Sequence, residues 1–209
     1  MNSQVCEPET APRGGSIPNR PQRVLVAEDE HLVATNLTMM LGDLGYTVLL
    51  ATDGQEAVDL ARSAKPDIAL LDIRMPHRDG LSAAKELHEE LGLPVVILSA
   101  YSESAEVNGA QQAGVFGYMV KPVQREQLRV GLDIAWNRFT LHQAEAEEAR
   151  KLRKRLEERR LIEQAKWAMV SGKGMTEPDA MKALQKRARD SRTQLVDVAA
   201  AVLKELGTV

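Results

Sequence analysis

The chain has 209 residues, 27% charged and 44% hydrophobic, with a net charge of −3, one cysteine and four histidines. That length suits one domain plus a smaller module. Cys6 has no second cysteine to pair with, and no apolar run approaches the ~18 residues of a membrane helix. No charged-then-apolar leader opens the sequence, so the expected location is cytoplasmic, with no membrane partner. His31, His77, His88 and His142 lack metal-ligand spacing and are expected to face solvent.

Residues 1–22 hold Pro8, Pro12, Pro18 and Pro21 with Gly14 and Gly15 and almost nothing apolar, the composition of a disordered tail. From Arg23 short β-like runs alternate with helical patterns five times. That alternation predicts an α/β fold with a doubly wound parallel sheet. Val24–Ala27, Ile68–Leu71, Val95–Leu98 and Gly117–Val120 read as buried strands. Gly54–Ala64 illustrates a helical interval, with Ala57, Leu60 and Ala61 on one face and Lys65-Pro66 closing it.

Each of these strands runs into a polar residue: Glu28 and Asp29, Asp72, Ser99, then Lys121 before Pro122. In open α/β sheets the ligand site lies outside the carboxyl ends of the strands, so these side chains are expected on one edge. Three carboxylates held together repel one another unless a cation intervenes, and a hard-oxygen set suits Mg²⁺. A hydroxyl and an ammonium opposite that cation provide the donor and the positive charge that an incoming phosphoryl group needs. Asp72 is the expected acceptor, because it ends the middle strand and Met75-Pro76 turns the chain sharply after it.

The segments VLVAEDE, DIALLDIRMPHRDG, VVILSA and GYMVKP occur in the order and spacing of a receiver domain, and residues 23–138 resemble that domain of two-component response regulators. The resemblance implies a flavodoxin-like receiver with five parallel strands. It implies that Asp72 is phosphorylated by a sensor histidine kinase, with Mg²⁺ held by Asp29, by Asp72, by Glu28 through water and by the Arg74 carbonyl. Ser99 and Lys121 would hold the phosphoryl oxygens, and Tyr118 would turn inward as Ser99 moves. A cis peptide before Pro122 is implied as well. Arg74 and Tyr101 stand where the family's side chains tune hydrolysis of the aspartyl phosphate. Such a protein is a phosphoacceptor that assists its own phosphorylation and dephosphorylation, not an enzyme with an external substrate.

After Pro122 the pattern changes. From about Gln124 no strand follows, no proline occurs before Pro178, and no glycine lies between Gly131 and Gly172, which predicts one long helix. Residues 139–158 form a linker in which Leu141, Ala149, Leu152 and Leu156 offer a short seam, enough for limited coiled-coil pairing or for a single solvated helix. Charge divides the chain too: residues 1–140 carry a net −7 and residues 141–209 a net +4. A basic module on an acidic one points to a polyanionic partner, although Glu/Lys/Arg-rich helices are often only solvated faces.

Residues 159–209 predict a small three-helix all-α domain. Ile162, Ala165, Met169 and Val170 mark a helix ending at Ser171-Gly172. Thr176-Glu177-Pro178-Asp179 caps a second, and Thr193 starts a third with Leu195, Val198, Ala199, Val202 and Leu203 inward. The string IEQAKWAMVSGKGMTEPDAMKALQKRARDSRTQLVDVAAAVL resembles an ANTAR domain, the RNA-binding output of antitermination regulators. Ile162, Ala165, Lys166, Thr176, Glu177, Ala180, Leu184, Ala188, Arg192, Leu195, Val198 and Ala199 carry the resemblance. Where that family usually has glycine, this chain has Trp167. A base-stacking role and a core-sealing role both stand for it, with the core role favoured. Lys166, Lys186, Arg187, Arg189 and Arg192 are the candidate RNA contacts.

The resulting expectation is a response regulator whose phosphorylation controls homodimerisation and the gripping of RNA hairpins in nascent transcripts. A DNA-binding factor is the first alternative, disfavoured because Thr193–Val209 offers only Lys204 as a base for a recognition helix. An adaptor that passes phosphate without touching nucleic acid is the second.

Overall fold

The computed structural model describes residues 20–100 and 114–206, which fall into two compact units, residues 1–142 and 143–209. Most of the tail assigned to residues 1–22, with Cys6, lies outside the described residues, and so does Tyr101.

The first unit is a five-stranded parallel sheet with helices on both faces. Its elements are β1 (Arg23–Ala27), α1 (His31–Asp43), β2 (Thr47–Ala51), α2 (Gly54–Ala64), β3 (Ile68–Asp72), α3 (Gly80–Leu91), β4 (Val95–Ser99) and β5 (Val115–Val120), followed by α4 (Arg125–Lys173). The sheet order is β2-β1-β3-β4-β5. Every residue of β3 and β4 is buried, the signature of central strands covered on both sides. Period-2 alternation sorts their side chains between two cores. Leu25, Ala27, Ala69, Leu71, Val95 and Ile97 meet Ala57, Val58, Ala84 and Leu87 of α2 and α3. Val24, Val26, Ile68, Leu70, Val96 and Leu98 meet Leu37 and Leu41 of α1 and Leu128, Leu132 and Ala135 of α4.

Capping explains where the helices begin and end. The Asp53 carboxylate accepts from the N–H groups of Gln55 and Glu56 to start α2, and Lys65, in the left-handed region at φ 49°, closes it. Asp79 starts α3 by accepting from Ser82 N–H. Phe116 meets Phe139 edge-on at 5.3 Å, and Trp136 lies 5.7 Å from Phe139, so packing within this unit continues past Arg138. One expectation fails in this cluster. His88 does not face solvent; it is half-buried, 5.4 Å from the Phe116 ring, because it sits on the side of α3 turned toward β5.

The second unit is a three-helix bundle made of the C-terminal part of α4, α5 (Glu177–Ser191) and α6 (Leu195–Glu205). Ala165, Met169, Ala180, Leu184, Val198, Ala199, Val202 and Leu203 form its core. Thr176 caps α5 through Asp179 N–H, with Pro178 in the first turn where its missing N–H costs nothing. The third helix starts one residue later than Thr193, at a Gln194 cap with no side-chain bond. The Thr193 hydroxyl is instead 2.7 Å from Ser191 Oγ, which diverts it from the capping role. No helix among the described residues is long and apolar enough to cross a membrane.

Candidate functional site

Parallel pairing in register brings the strand ends to one edge. β1 lies between β2 and β3, and Ala27 pairs with both Ala51 and Leu71, so Glu28 and Asp29 leave the sheet beside Asp72. Asp72 pairs with Leu98, one residue before Ser99, and Ser99 pairs with Val120, one residue before Lys121. This edge is where the strand order reverses between β1 and β3, the switch point at which doubly wound sheets bind ligands.

Lys121 organises the pocket. Its Nζ donates to Glu28 Oε2 at 2.6 Å and to Asp72 Oδ2 at 2.7 Å, while its backbone N–H donates to Ser99 carbonyl at 2.7 Å. The Lys121–Pro122 peptide is cis. Asp72 Oδ1 keeps a long contact, 3.4 Å, from the Arg74 N–H. Ser99 is 3% exposed, Tyr118 is half-buried opposite Ile97, and Arg74 is exposed just beyond β3.

Burial raises the pKa of Glu28, and the Lys121 hydrogen bond and charge offset that only in part. Burial works against the Lys121 ammonium too, but its hydrogen bonds to Asp72 and Glu28 prevail and hold its pKa above the ordinary lysine value. One carboxylate oxygen from each of Glu28, Asp29 and Asp72 lies within 4.8 Å of the other two. The cluster of three carboxylates and the Lys121 ammonium carries a formal excess of two negative charges, the charge of a single divalent cation. The donors are all hard oxygens, the ligand type that Mg²⁺ takes, so the set fits Mg²⁺.

A test of that fit needs no phosphate. Mg²⁺ at ten times its dissociation constant is expected to stabilise the protein by about 1.4 kcal/mol, and Asp29→Asn to remove most of the gain. Lys121→Ala leaves Glu28 and Asp72 unpaired and is expected to cost about 3 kcal/mol without metal. Mg²⁺ should restore a larger share there than it adds to the native chain. Thermal denaturation with and without a chelator measures all three.

The basic candidates separate into two groups. Lys166 is 9% exposed and donates to Glu177 at 2.6 Å and Glu163 at 2.9 Å, bonds that raise its pKa and tie α4 to α5. Arg187 pairs with Glu205 across α5 and α6. Lys166 is closed in by these bonds, whereas Arg187 stays exposed and shares its charge with Glu205 at the surface. Lys186 and Arg189 are exposed, and Lys182, one turn before Lys186, shares their face of α5 opposite buried Ala180 and Leu184. Lys182 is not among the sequence candidates, although its spacing of four and seven from Lys186 and Arg189 places it on their face. Arg192 is exposed and ends α5 in the left-handed region at φ 53°. Trp167 is 65% exposed, which overturns the core-sealing role: Ala165 and Met169 already supply the inward face of α4.

Residues 24–133 match the family model of the response regulator receiver domain, and residues 150–203 match that of the ANTAR domain. The chain belongs to the response regulators. The regulator is 44% identical over 189 residues to the transcriptional regulatory protein PdtaR of Mycobacterium tuberculosis, across 90% of this chain and 92% of the relative. Its first half is 44% identical over 112 residues to the positive alginate biosynthesis regulatory protein of Pseudomonas aeruginosa, covering 52% of the chain and 45% of that protein. Among solved structures, the signal receiver domain of a modulated diguanylate cyclase from Desulfovibrio desulfuricans covers 59% of the regulator and 98% of that domain, with a TM-score of 0.54 and 34% identity. The chemotaxis response regulator CheY4 of Vibrio cholerae covers 55% of the regulator and 98% of its own chain at a TM-score of 0.52 and 26% identity.

Proposed function

We propose that this regulator takes a phosphoryl group on Asp72 from a sensor histidine kinase in the cytoplasm, and that this event controls binding of its ANTAR domain to RNA hairpins and hence transcription antitermination. The observation that carries the reading is Lys121 bridging Glu28 and Asp72 at the switch point, with Asp29 alongside.

In the transfer an Asp72 carboxylate oxygen forms a bond to phosphorus, and the P–N bond of the donor phosphohistidine breaks. Its electron pair stays on the departing imidazole, which takes a proton from solvent. Oδ1 is the less engaged oxygen, since Oδ2 is held by Lys121. Asp29, Asp72, the Arg74 carbonyl and, through water, Glu28 would hold Mg²⁺, which would supply charge stabilisation for the phosphoryl oxygens. Lys121 then shifts from a carboxylate partner to a phosphate partner, and Ser99 donates from the end of β4. Movement of Ser99 reaches Tyr118 through the β4–β5 pairing and alters the face around β5 and α4. Exposed Leu141, Leu152 and Leu156 along α4 supply apolar surface for a homodimer of the phosphorylated chain. The protein acts as a phosphoacceptor that assists its own phosphorylation and dephosphorylation.

The RNA reading is favoured over DNA by α6, which buries Val198, Ala199, Val202 and Leu203 and offers only Lys204 as a base. Binding to a tandem-hairpin RNA is expected to tighten with a small phosphoryl donor and Mg²⁺, and to stay at the resting level in Asp72→Asn. A matched DNA duplex should show neither effect. Binding to neither polymer in any state would leave the adaptor alternative.

The sorting of basic residues gives a second outcome. Replacing Lys182, Lys186 and Arg189 together by Ala is expected to weaken RNA binding and to lower the slope of log K against log salt by about 2. Lys166→Ala should lower the melting temperature instead and leave that slope alone. Salt titrations of binding beside thermal melts tell these apart.

A further inference from the structure

Trp167 sits where the bundle has no use for it as packing. The core closes with Ala165 and Met169 on the inward side of α4, and Trp167 projects from the opposite side, 65% exposed. A large aromatic left in water forgoes burial that a core position would have supplied. Beside its ring an open groove of about 610 Å³ lies between the end of α4 and α6. Ala168, Leu203 and Leu206 make it apolar, and Gly172 keeps its edge low. Gln164 and Ser171 flank Trp167 three residues before and four after it, on the same face of α4, and bring an amide and a hydroxyl to the groove.

A flat aromatic with apolar walls on one side and short polar side chains at the rim suits a planar ligand that carries donors and acceptors on its edge. The charge of the surrounding segment selects among such ligands. Residues 150–192 hold 14 basic against 6 acidic side chains, and Lys182, Lys186, Arg189 and Arg192 are exposed on the same unit. A planar group attached to a polyanion is a nucleobase. Bases inside a duplex offer no free face, so the base must be unpaired.

We propose that Trp167 and this groove form a binding subsite for one unpaired base of the RNA, stacked on the indole, with Gln164 and Ser171 meeting the base edge. The inference rests on the RNA reading of the bundle and adds the residue that distinguishes a loop from a stem. Stacking of this kind tolerates any base, so the contribution is to affinity for loops rather than to base identity.

The test uses the full chain, its Trp167→Ala and Trp167→Phe variants, and two RNAs: a tandem hairpin with unpaired loops, and the same molecule with abasic loop nucleotides. Trp167→Ala is expected to lose about ten-fold in affinity for the intact hairpins, and Trp167→Phe to keep most of it. The abasic RNA should cost the native chain a similar factor and cost Trp167→Ala nothing further, because both remove the same contact. The melting temperature of Trp167→Ala should match that of the native chain. Equal affinity of Trp167→Ala and the native chain for intact hairpins overturns the subsite while leaving RNA binding in place. A loss in Trp167→Ala that is undiminished on the abasic RNA overturns it too. Failure of the native chain to bind either RNA overturns the RNA reading itself.

Discussion

Asp72→Asn is expected to yield no phosphoprotein when the chain is incubated with a small phosphoryl donor and Mg²⁺, against near-complete conversion of the native chain. Asparagine has the shape of aspartate, so the end of β3 and its pairing with β4 survive, and Lys121 keeps Glu28 as a partner. What disappears is the anionic oxygen that must attack phosphorus. An amide oxygen is a far weaker nucleophile, and loss of one charge also weakens the cation site. Glu28 cannot substitute, since its side chain is fully enclosed and its Oε2 is held by the Lys121 ammonium. Asp29 is exposed beside Asp72 and is the neighbour to check for adventitious phosphate. Intact-protein mass spectrometry reads the added phosphoryl group, and a thermal melt confirms that the variant is folded. A full phosphoryl increment on Asp72→Asn would move the acceptor elsewhere and sink the assignment.

Gly80→Ala should be the most damaging single-methyl substitution in the first unit. A Cβ on Gly80 would lie 1.9 Å from the Asp72 carbonyl oxygen, 2.9 Å from its carbon and 3.2 Å from Ile73 Cα. All three are backbone atoms of the segment that carries the acceptor, so no rotamer change relieves the overlap. The Gly80 N–H donates to Ile73 carbonyl at 2.9 Å, which shows how closely the start of α3 folds back on the end of β3. The expected cost is at least ~3 kcal/mol, with Asp72 displaced and phosphorylation lost in whatever fraction remains folded. Gly42→Ala, in the last turn of α1 with nothing within 4 Å of its Cβ, is the control and should be neutral or stabilising by up to ~1 kcal/mol. Chemical denaturation of the two variants in parallel gives the comparison. Equal stability of both would mean that the β3–α3 turn is looser than the contact implies.

The receiver half was legible because its information is local and repeated. Short apolar runs alternating with helical intervals read as central parallel strands, and a polar residue at the end of each marks the carboxyl edge. Asp72, Asp29, Ser99 and Lys121 could therefore be named from order and spacing alone. The charged surface of the bundle was harder to read. Lys166, Arg187 and Lys186 look alike in sequence, yet Lys166 is closed in by Glu163 and Glu177, while Arg187 and Lys186 are exposed and Arg187 pairs with Glu205. The difference lies in acidic partners 3 to 18 residues away that only the packing of helices brings into reach.

Gly80 and Trp167 show the same division from opposite ends. No spacing rule reveals that a helical glycine with ordinary dihedrals abuts the carbonyl of Asp72, or that a tryptophan two residues past a core alanine finds the core already filled. By itself the sequence determined the layer order, the edge on which the acidic residues and Lys121 gather, and the helical character of everything after Pro122. These follow from periodicities of 2 and 3.6 and from the chemistry of strand ends. Only the tertiary structure decided which cations are held in ion pairs, which aromatic is left exposed, and how closely α3 approaches Asp72. Those are distances between segments far apart in the chain, and side-chain pattern within one segment carries no record of them.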